Sequence, residues 1–284
     1  MKNILVLGVS GMAGHVVYTQ LKKNPDYNVL GTTNSNDFGF GSEKLNIFDT
    51  ENLLEIIKQF KPDFVINCIG MLIQGSKKYP DRTIYLNAYL PHLLDKLSTE
   101  NHFKFIHIST DCVFSGNDGA YTETSIKDAK DLYGQSKALG EIVNDNNLTI
   151  RTSIIGPELK NEGEGLFHWV MNQKGTIYGY KSNFWSGVTT LELTNFIEYS
   201  IDNEITGLVH LTNNEPISKF NLLAIINNVY ELNLNILDDK DYKCNKSFIN
   251  TNNSIHYTVP SYEKMILNQK EFMKNNSFYS HYTF

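Results

Sequence analysis

Tyr133 and Lys137, in the run Tyr133-Gly134-Gln135-Ser136-Lys137, stand four residues apart and share one face if the segment is helical. A phenol beside an ammonium is an acid–base pair. The positive charge favours the phenolate and is expected to lower the tyrosine pKa from its ordinary value of about 10. Such a phenol can hand a proton to the alkoxide formed as hydride reaches a carbonyl carbon, a positioned transfer worth roughly 10²–10⁴ in rate. The pair alone is common, and an exposed helix face would carry it as well.

Two further patterns raise its meaning. Ile106 to Phe114 (IHISTDCVF) reads as a strand running into a hydroxyl-bearing turn, with Thr110 placed 23 residues before Tyr133. A hydroxyl at a strand's C-terminal end sits where doubly wound sheets bind ligands, and it can hydrogen-bond a carbonyl oxygen. The second pattern is Gly8-Val9-Ser10-Gly11-Met12-Ala13-Gly14, between an apolar strand and a helix. Glycines there permit a tight turn and close backbone approach to a pyrophosphate, whose charge the helix N-terminus favours.

An acidic residue about 20 positions on often holds the ribose hydroxyls of NAD. Here the second strand ends in Thr32-Thr33-Asn34-Ser35-Asn36, without a carboxylate, which leans towards NADP; no arginine stands there to hold a 2′-phosphate. The expected cofactor is NADPH, with NADH as the alternative.

Strands alternating with helices must position these groups. Ile4–Gly8, Tyr27–Thr32, Asp63–Ile69, Phe103–Ile108 and Leu148–Ile154 read as strands; Met12–Lys23, Thr50–Phe60, Arg82–Leu97 and Leu132–Asn144 read as helices. That rhythm predicts an α/β fold, a doubly wound parallel sheet (Rossmann) covered on both faces. Gly156-Pro157 breaks it. Helices follow at Leu191–Ile201, Lys219–Glu231 and Tyr262–Lys274, and Gly207–Leu211 reads as one more strand of the main sheet. The expected division is a dinucleotide domain over 1–155 plus about 189–213, and a smaller discontinuous substrate lobe over about 156–188 plus 214–284.

Together these patterns resemble the extended short-chain dehydrogenase/reductases, and within them the dTDP-4-dehydrorhamnose reductase-like branch. Gly8 to His15 (GVSGMAGH), Ser109 to Gly116 (STDCVFSG), Tyr121 to Glu123 (YTE) and Arg151 to Gly156 (RTSIIG) all fit that branch. So do Tyr133 to Glu141 (YGQSKALGE), Phe184 to Gly187 (FWSG), Gly207 to His210 (GLVH) and Pro216 to Lys219 (PISK). The resemblance implies that Thr110 polarises the substrate carbonyl, Tyr133 donates the proton and Lys137 is its electrostatic partner. It implies a cofactor site of Gly8, Ser10, Gly11, Met12 and Gly14 at the pyrophosphate, Asn46 and Ile47 at the adenine, and Cys68, Ile69 and Gly70 along the adenosine half. Asn87, Ser109, Tyr133 and Lys137 complete that set, and Gly156-Pro157 resembles the turn beside the nicotinamide. On the substrate side stand Thr110, Asp111, Val113, Phe114 and, from the aromatic segment Phe167 to Trp185, Trp185.

The implied activity is NAD(P)H-dependent reduction of a keto group on a nucleotide-linked deoxysugar, for polysaccharide or glycan precursors. A nucleotide-sugar epimerase or a non-catalytic NADP-binding regulatory subunit is the alternative. Cys112 stands where a 4,6-dehydratase would carry an acid. Two departures from the family pattern bear on the site: Asn46 replaces an acidic residue, and Asp128-Ala129-Lys130 replaces a proline ahead of Tyr133.

Composition narrows the classes further. A net charge of −6 argues against a nucleic-acid partner. Cys68, Cys112 and Cys244 lie far apart and the eight histidines are scattered, so neither a disulfide framework nor a metal site is expected. No stretch approaches the ~20 apolar residues of a membrane span, and Met1-Lys2-Asn3 leads straight into a strand rather than a secretory signal. A cytoplasmic protein is expected, compatible with a homodimer. Arg82 and Lys181 read as surface charges with a substrate diphosphate as the alternative role, and His107 and His210, both on strands, as buried.

Overall fold

The computed structural model describes residues 1–283 apart from Ser35, Lys240 and Asp241, so the part of the strand-end reading that falls on Ser35 lies outside the described residues. The first half alternates as its periodicity demands: β1 (Lys2–Leu7), α1 (Gly14–Leu21), β2 (Tyr27–Thr33), β3 (Glu43–Lys44), α2 (Thr50–Phe60) and β4 (Phe64–Asn67). Next come α3 (Ile73–Lys78), α4 (Pro80–Ile84), a π turn at Tyr85–Tyr89, α5 (Leu90–Asn101), β5 (Lys104–Thr110), α6 (Leu132–Leu139) and β6 (Leu148–Thr152). The second half holds β7 (Ile154–Ile155), α7 (Leu166–Met171), β8 (Thr176–Tyr180), β9 (Asn183–Trp185), β10 (Val188–Thr189) and α8 (Thr190–Asp202). It continues with β11 (Gly207–His210), β12 (Ile217–Ser218), α9 (Lys219–Tyr230), β13 (Asn235–Asp239), β14 (Cys244–Asn245) and α10 (Tyr262–Lys274).

Seven parallel strands form the main sheet in the order β11-β6-β5-β4-β1-β2-β3. Alternation along β1 shows why both faces are covered. Ile4 and Val6 enter one apolar cluster, with Val17, Phe196 and Met265, whereas Leu5 and Leu7 enter another, with Leu53, Leu94 and Phe105. The first cluster runs on through Phe167, Leu222 and Ile226 to Tyr279 and Tyr282, so the later chain closes over the same face. Three small sheets, β10-β7, β12-β9-β14 and β13-β8, build the region beyond the strand ends. Among the described residues no helix is long and apolar enough to cross a membrane.

Two helices differ from the periodicity. The helical stretch around Arg82–Leu97 is interrupted by the π turn at Tyr85–Tyr89, a local widening frequent at functional sites. α6 ends at Leu139 rather than at Asn144. Gly140 lies so close to the Asn87 carbonyl that a Cβ there would stand 1.9 Å from its oxygen. The chain then leaves the helix, and the Glu141 carboxylate turns inward to meet Arg151 at 2.7 Å.

Candidate active site

The C-terminal ends of the parallel strands converge on one groove, the usual position for ligands in an open α/β sheet. Gly8 adopts φ +86°, a conformation L side chains rarely take, and its N–H and that of Val9 both bond the Thr32 carbonyl. Gly14 is required by contact: a Cβ there would lie 2.1 Å from the Gly8 carbonyl oxygen, so only glycine lets α1 start this close to β1. Two cavities meet at this loop and share Gly11, Cys68, Ile69 and Gly70. The larger, about 640 Å³, is walled by Met12, Ser109, Thr110, Asp111, Tyr133 and Lys137 among others. The smaller, about 240 Å³, takes in Gly8, Ser10, Thr33, Asn46, Ile47 and Phe48, and no charged residue lines it among the described residues.

β5 delivers Thr110 at its last position, and its hydroxyl donates to the Asp111 carboxylate (3.1 Å) and accepts the Cys112 N–H (3.2 Å). Asp131 starts α6 by accepting the Gly134 N–H, which sets Tyr133 in the first turn and Lys137 one turn on. The segment before it is held without proline: Asp128 accepts the Ser115 N–H (2.7 Å) and Ala129 N–H bonds the Val113 carbonyl (3.1 Å).

The electrostatics of the pair differ from expectation. Burial pushes the Tyr133 phenol up from its ordinary value, the charges of Cys112, Asp111 and Asp131 push the same way, and a hydrogen bond with Thr110 opposes them. Lys137 exerts no comparable downward pull because its ammonium points elsewhere. It donates to the Ile108 carbonyl at 2.6 Å and lies 3.4 Å from His107 Nε2. Burial lowers Lys137 itself to about 8, with Glu141 opposing. His107 is fully enclosed, and burial holds it well below the usual histidine range, helped by the Lys137 charge. Its other ring nitrogen faces the Asn67 amide at 3.4 Å, and the Asn67 side-chain oxygen accepts the Ile69 N–H at 3.0 Å. A buried polar chain therefore connects Lys137 to the loop shared by both cavities.

Beneath Thr110, Ser109 donates to the Glu141 carboxylate (2.7 Å), which also receives Arg151 Nε (2.8 Å) and Nη2 (2.7 Å). Arg151 is 1% exposed, stacks over the Phe114 ring and meets His210 Nε2 at 2.7 Å. His107 and His210 are buried, as their strand positions suggest. Asn87 does not line the cavity. Its amide accepts the Met71 N–H (2.8 Å) and donates to the Met71 carbonyl (3.0 Å) and the Ser136 hydroxyl (3.2 Å), clamping the cavity wall to α6.

Three residues expected at the substrate lie elsewhere. Val113 and Phe114 are fully buried with Tyr121 and Phe248, because the short 3₁₀ turn at Asp111–Val113 rotates them inward. Trp185 is 3% exposed, packed on Tyr262 beneath the Lys219 ammonium, and does not line the cavity. Arg82 lies over the Tyr79 ring, and Lys181 pairs with Asp238 at 3.4 Å. The cavity also has walls not singled out from sequence. Glu158 follows directly on the Gly156-Pro157 break, and its carboxylate accepts the N–H of Gly165, further along the chain, at 2.7 Å, while the Glu158 N–H meets the Tyr282 hydroxyl at 3.1 Å.

The family model of the RmlD substrate binding domain matches residues 1–242. The chain belongs to that family. Relatives of this RmlD-domain chain include "Probable low-salt glycan biosynthesis reductase Agl14" of Haloferax volcanii, 32% identical over 158 residues. That match covers 53% of this chain and 52% of the relative, so it spans about half of each. Methionine adenosyltransferase 2 subunit beta of Xenopus tropicalis is 25% identical over 259 residues, covering 81% of this chain and 73% of the relative. Among solved structures, a dTDP-4-dehydrorhamnose reductase from Bacillus anthracis in complex with NADP superimposes with a TM-score of 0.81 over 97% of this chain and 99% of that one, at 19% identity. This RmlD-domain chain therefore shares its fold with that enzyme along nearly the whole length.

Proposed function

We propose that the chain is an NADPH-dependent reductase, with NADH as the alternative cofactor, acting on the keto group of a nucleotide-linked deoxysugar and supplying glycan or polysaccharide precursors. One observation carries the reading: Thr110, Tyr133 and Lys137 wall a single cavity that continues into the groove beside the glycine turn. The residues present fit a dinucleotide, since the cradle at Gly8 and Gly14 admits no side chain and leaves backbone free to approach a pyrophosphate. The dinucleotide, when bound, supplies hydride to the carbonyl carbon.

The protein's own groups then manage the oxygen. A phenol raised by burial keeps its proton at neutral pH, so Tyr133 holds it ready for the oxygen that gains charge. The Thr110 hydroxyl, whose proton rests on Asp111, turns it to the same oxygen when a carbonyl enters. Lys137, near 8, is mostly protonated at neutral pH and favours the phenolate left behind. Ser109 fastened to Glu141 fixes the strand end that carries Thr110. The dinucleotide domain is assigned to 1–155 plus about 189–213 and the substrate lobe to about 156–188 plus 214–284. A cytoplasmic location and a homodimer belong to the same proposal.

The names of the glycan reductase and the dTDP-4-dehydrorhamnose reductase support this reading. Similarity to methionine adenosyltransferase 2 subunit beta over 81% of the chain favours a second one, a regulatory subunit. Purified protein given NADPH or NADH with a panel of nucleotide-linked 4-keto-6-deoxysugars, followed by absorbance of the reduced cofactor, separates them. Consumption with one sugar, cut about 10²–10⁴-fold by Tyr133→Phe, supports the reductase. Tight cofactor binding without turnover on any carbonyl supports the subunit, and conversion without net cofactor oxidation supports an epimerase.

A further inference from the structure

The family match ends at residue 242, yet residues 277–282 reach back to both walls of the large cavity. They supply none of the described lining residues of either cavity. Their link to the first wall runs through α1. Tyr279 is 1% exposed, and its hydroxyl lies 2.7 Å from His15 Nε2. The other ring nitrogen, Nδ1, lies 2.8 Å from the Gly11 carbonyl oxygen, in the middle of the glycine turn. A carbonyl can only accept, so His15 Nδ1 carries the proton and Nε2 is left to accept from the phenol. Burial lowers His15 to about 4, so the ring is neutral near pH 7 and keeps this arrangement.

The link to the second wall is direct. The Glu158 N–H donates to the Tyr282 hydroxyl at 3.1 Å, and His168 Nδ1 on α7 meets the same oxygen at 2.8 Å. The Glu158 carboxylate in turn accepts the Gly165 N–H, so one phenol steadies the whole bend from Glu158 to Gly165. The two tyrosines are not independent. Tyr282 N–H bonds the Tyr279 carbonyl at 2.9 Å, and their rings are wedged against Phe272 and Phe167 in one apolar cluster. Gly11, Met12, Glu158 and Gly165 all line the large cavity. The walls approach one another where a Cβ on Gly165 would stand 3.4 Å from Met12 Sδ. Pairing in the main sheet does not set that gap. β1 leads into the glycine turn, whereas the Glu158 bend follows β7, which belongs to the separate two-stranded sheet with β10.

We propose that Tyr279 and Tyr282 are positioning residues for the dinucleotide, a rigid pair of phenols that holds the glycine turn and the Glu158–Gly165 bend at the separation the cofactor requires. The inference rests on the dinucleotide part of the reductase reading and is indifferent to the sugar. Each phenol acts through a neighbour, Tyr279 through His15 and Tyr282 through the Glu158 backbone. Walls held correctly beforehand need no ordering when the dinucleotide enters, and apparent affinity rises with the fraction of molecules already in the binding form. Without the hydroxyls the rings still fill their places, but the walls sample other separations and binding must select among them.

The test is calorimetric titration of the full chain with NADPH and with NADH, at a temperature where every variant is folded. Tyr279→Phe and Tyr282→Phe each remove one hydroxyl and leave the ring. Each is expected to weaken the dinucleotide about three- to tenfold, and the double variant about ten- to hundredfold, since one buried hydrogen bond is at stake per wall. Amide hydrogen exchange gives a second readout: Tyr282→Phe should speed the Gly165 amide, and Tyr279→Phe those of the glycine turn. Tyr230→Phe is the control. Its hydroxyl meets the Met273 sulfur in the same apolar cluster and Tyr230 lines neither cavity, so dinucleotide affinity should be unchanged whatever the effect on melting temperature. Double-variant affinity within about twofold of the parent would overturn the proposal and leave the phenols as packing, as would a loss equalled by Tyr230→Phe. Dinucleotide binding that depends on the phenols, in a chain that reduces no carbonyl, would keep the tie and sink the reductase. Carbonyl reduction by the double variant with the parent's cofactor affinity would do the reverse. A parent that binds neither dinucleotide would sink both.

Discussion

Lys137 is predicted to be a residue that the fold tolerates at a cost. The residue is 5% exposed, and burial takes its ammonium from 10.5 in an unfolded chain to about 8 in the folded one. At about 1.4 kcal/mol per pH unit, that difference corresponds to about 3 kcal/mol of lost stability. The sign follows from proton counts. Below pH 8 both states hold the proton and the full cost is present. Between pH 8 and 10.5 the folded state has released a proton that the unfolded state still binds, so stability rises with pH. Lys137→Met keeps the stem and removes the charge, but it strands the Ile108 carbonyl now bonded at 2.6 Å, a loss of about 1–3 kcal/mol. At pH 7 the variant is therefore expected to match the parent or exceed it by up to about 2 kcal/mol, while carbonyl reduction is lost. The sharper quantity is the difference between variant and parent, because every other titrating group cancels in it. Urea denaturation of both at pH 7 and pH 10 should show the variant's relative stability falling by about 2–3 kcal/mol. A difference constant to within ~0.5 kcal/mol would mean that the ammonium is not desolvated in the cavity wall, and the account of its pKa would fail.

Glu141→Gln strips the charge facing a guanidinium that is 1% exposed, and should destabilise the fold by about 3–5 kcal/mol in chemical denaturation; a change under ~1 kcal/mol would contradict the buried-pair description. Burial draws Glu141 upward, but the hydrogen bonds and charge of Arg151 outweigh it and hold the carboxyl below its usual range. Its contribution is accordingly present above the unfolded carboxyl pKa and is lost as pH falls through the folded one, an acid limb that Glu141→Gln should flatten in a pH series of melts. Gly14→Ala places a methyl 2.1 Å from the Gly8 oxygen and should weaken NADPH at least tenfold in a fluorescence titration, with unchanged affinity counting against the glycine cradle. Tyr279→Phe removes the hydroxyl 2.7 Å from buried His15 and should cost about 1–3 kcal/mol in thermal unfolding, a value near zero showing that the bond is not made in solution.

Elements whose signals are local could be read from the chain directly. Asp49 before Thr50–Phe60, Ser218 before Lys219–Tyr230 and Ser261 before Tyr262–Lys274 each cap a helix whose start the periodicity already marks. Features decided by a distant partner were not legible. Nothing around Leu139 announces that Gly140 will press on the Asn87 carbonyl and end α6, because that contact joins two helices. The π turn has no local mark either. The same division runs through the site. The glycine turn, Thr110, Tyr133 and Lys137 announce themselves by spacing, yet the direction of the Lys137 ammonium depends on the Ile108 carbonyl and His107 behind it. Aromatic character alone could not separate a cavity wall from packed core, so Phe114 and Trp185 were placed wrongly.

The bond between His15 and Tyr279 joins positions 264 residues apart. A ribosome working at 5–20 residues per second needs roughly 13–50 s to supply the second partner after the first. During that interval the first nucleotide-binding helix has emerged, but the ring that satisfies its buried imidazole has not. The nascent amino-terminal half therefore waits with an open apolar face, a period in which a chaperone would be the natural occupant of the surface that Tyr279 and Tyr282 later seal.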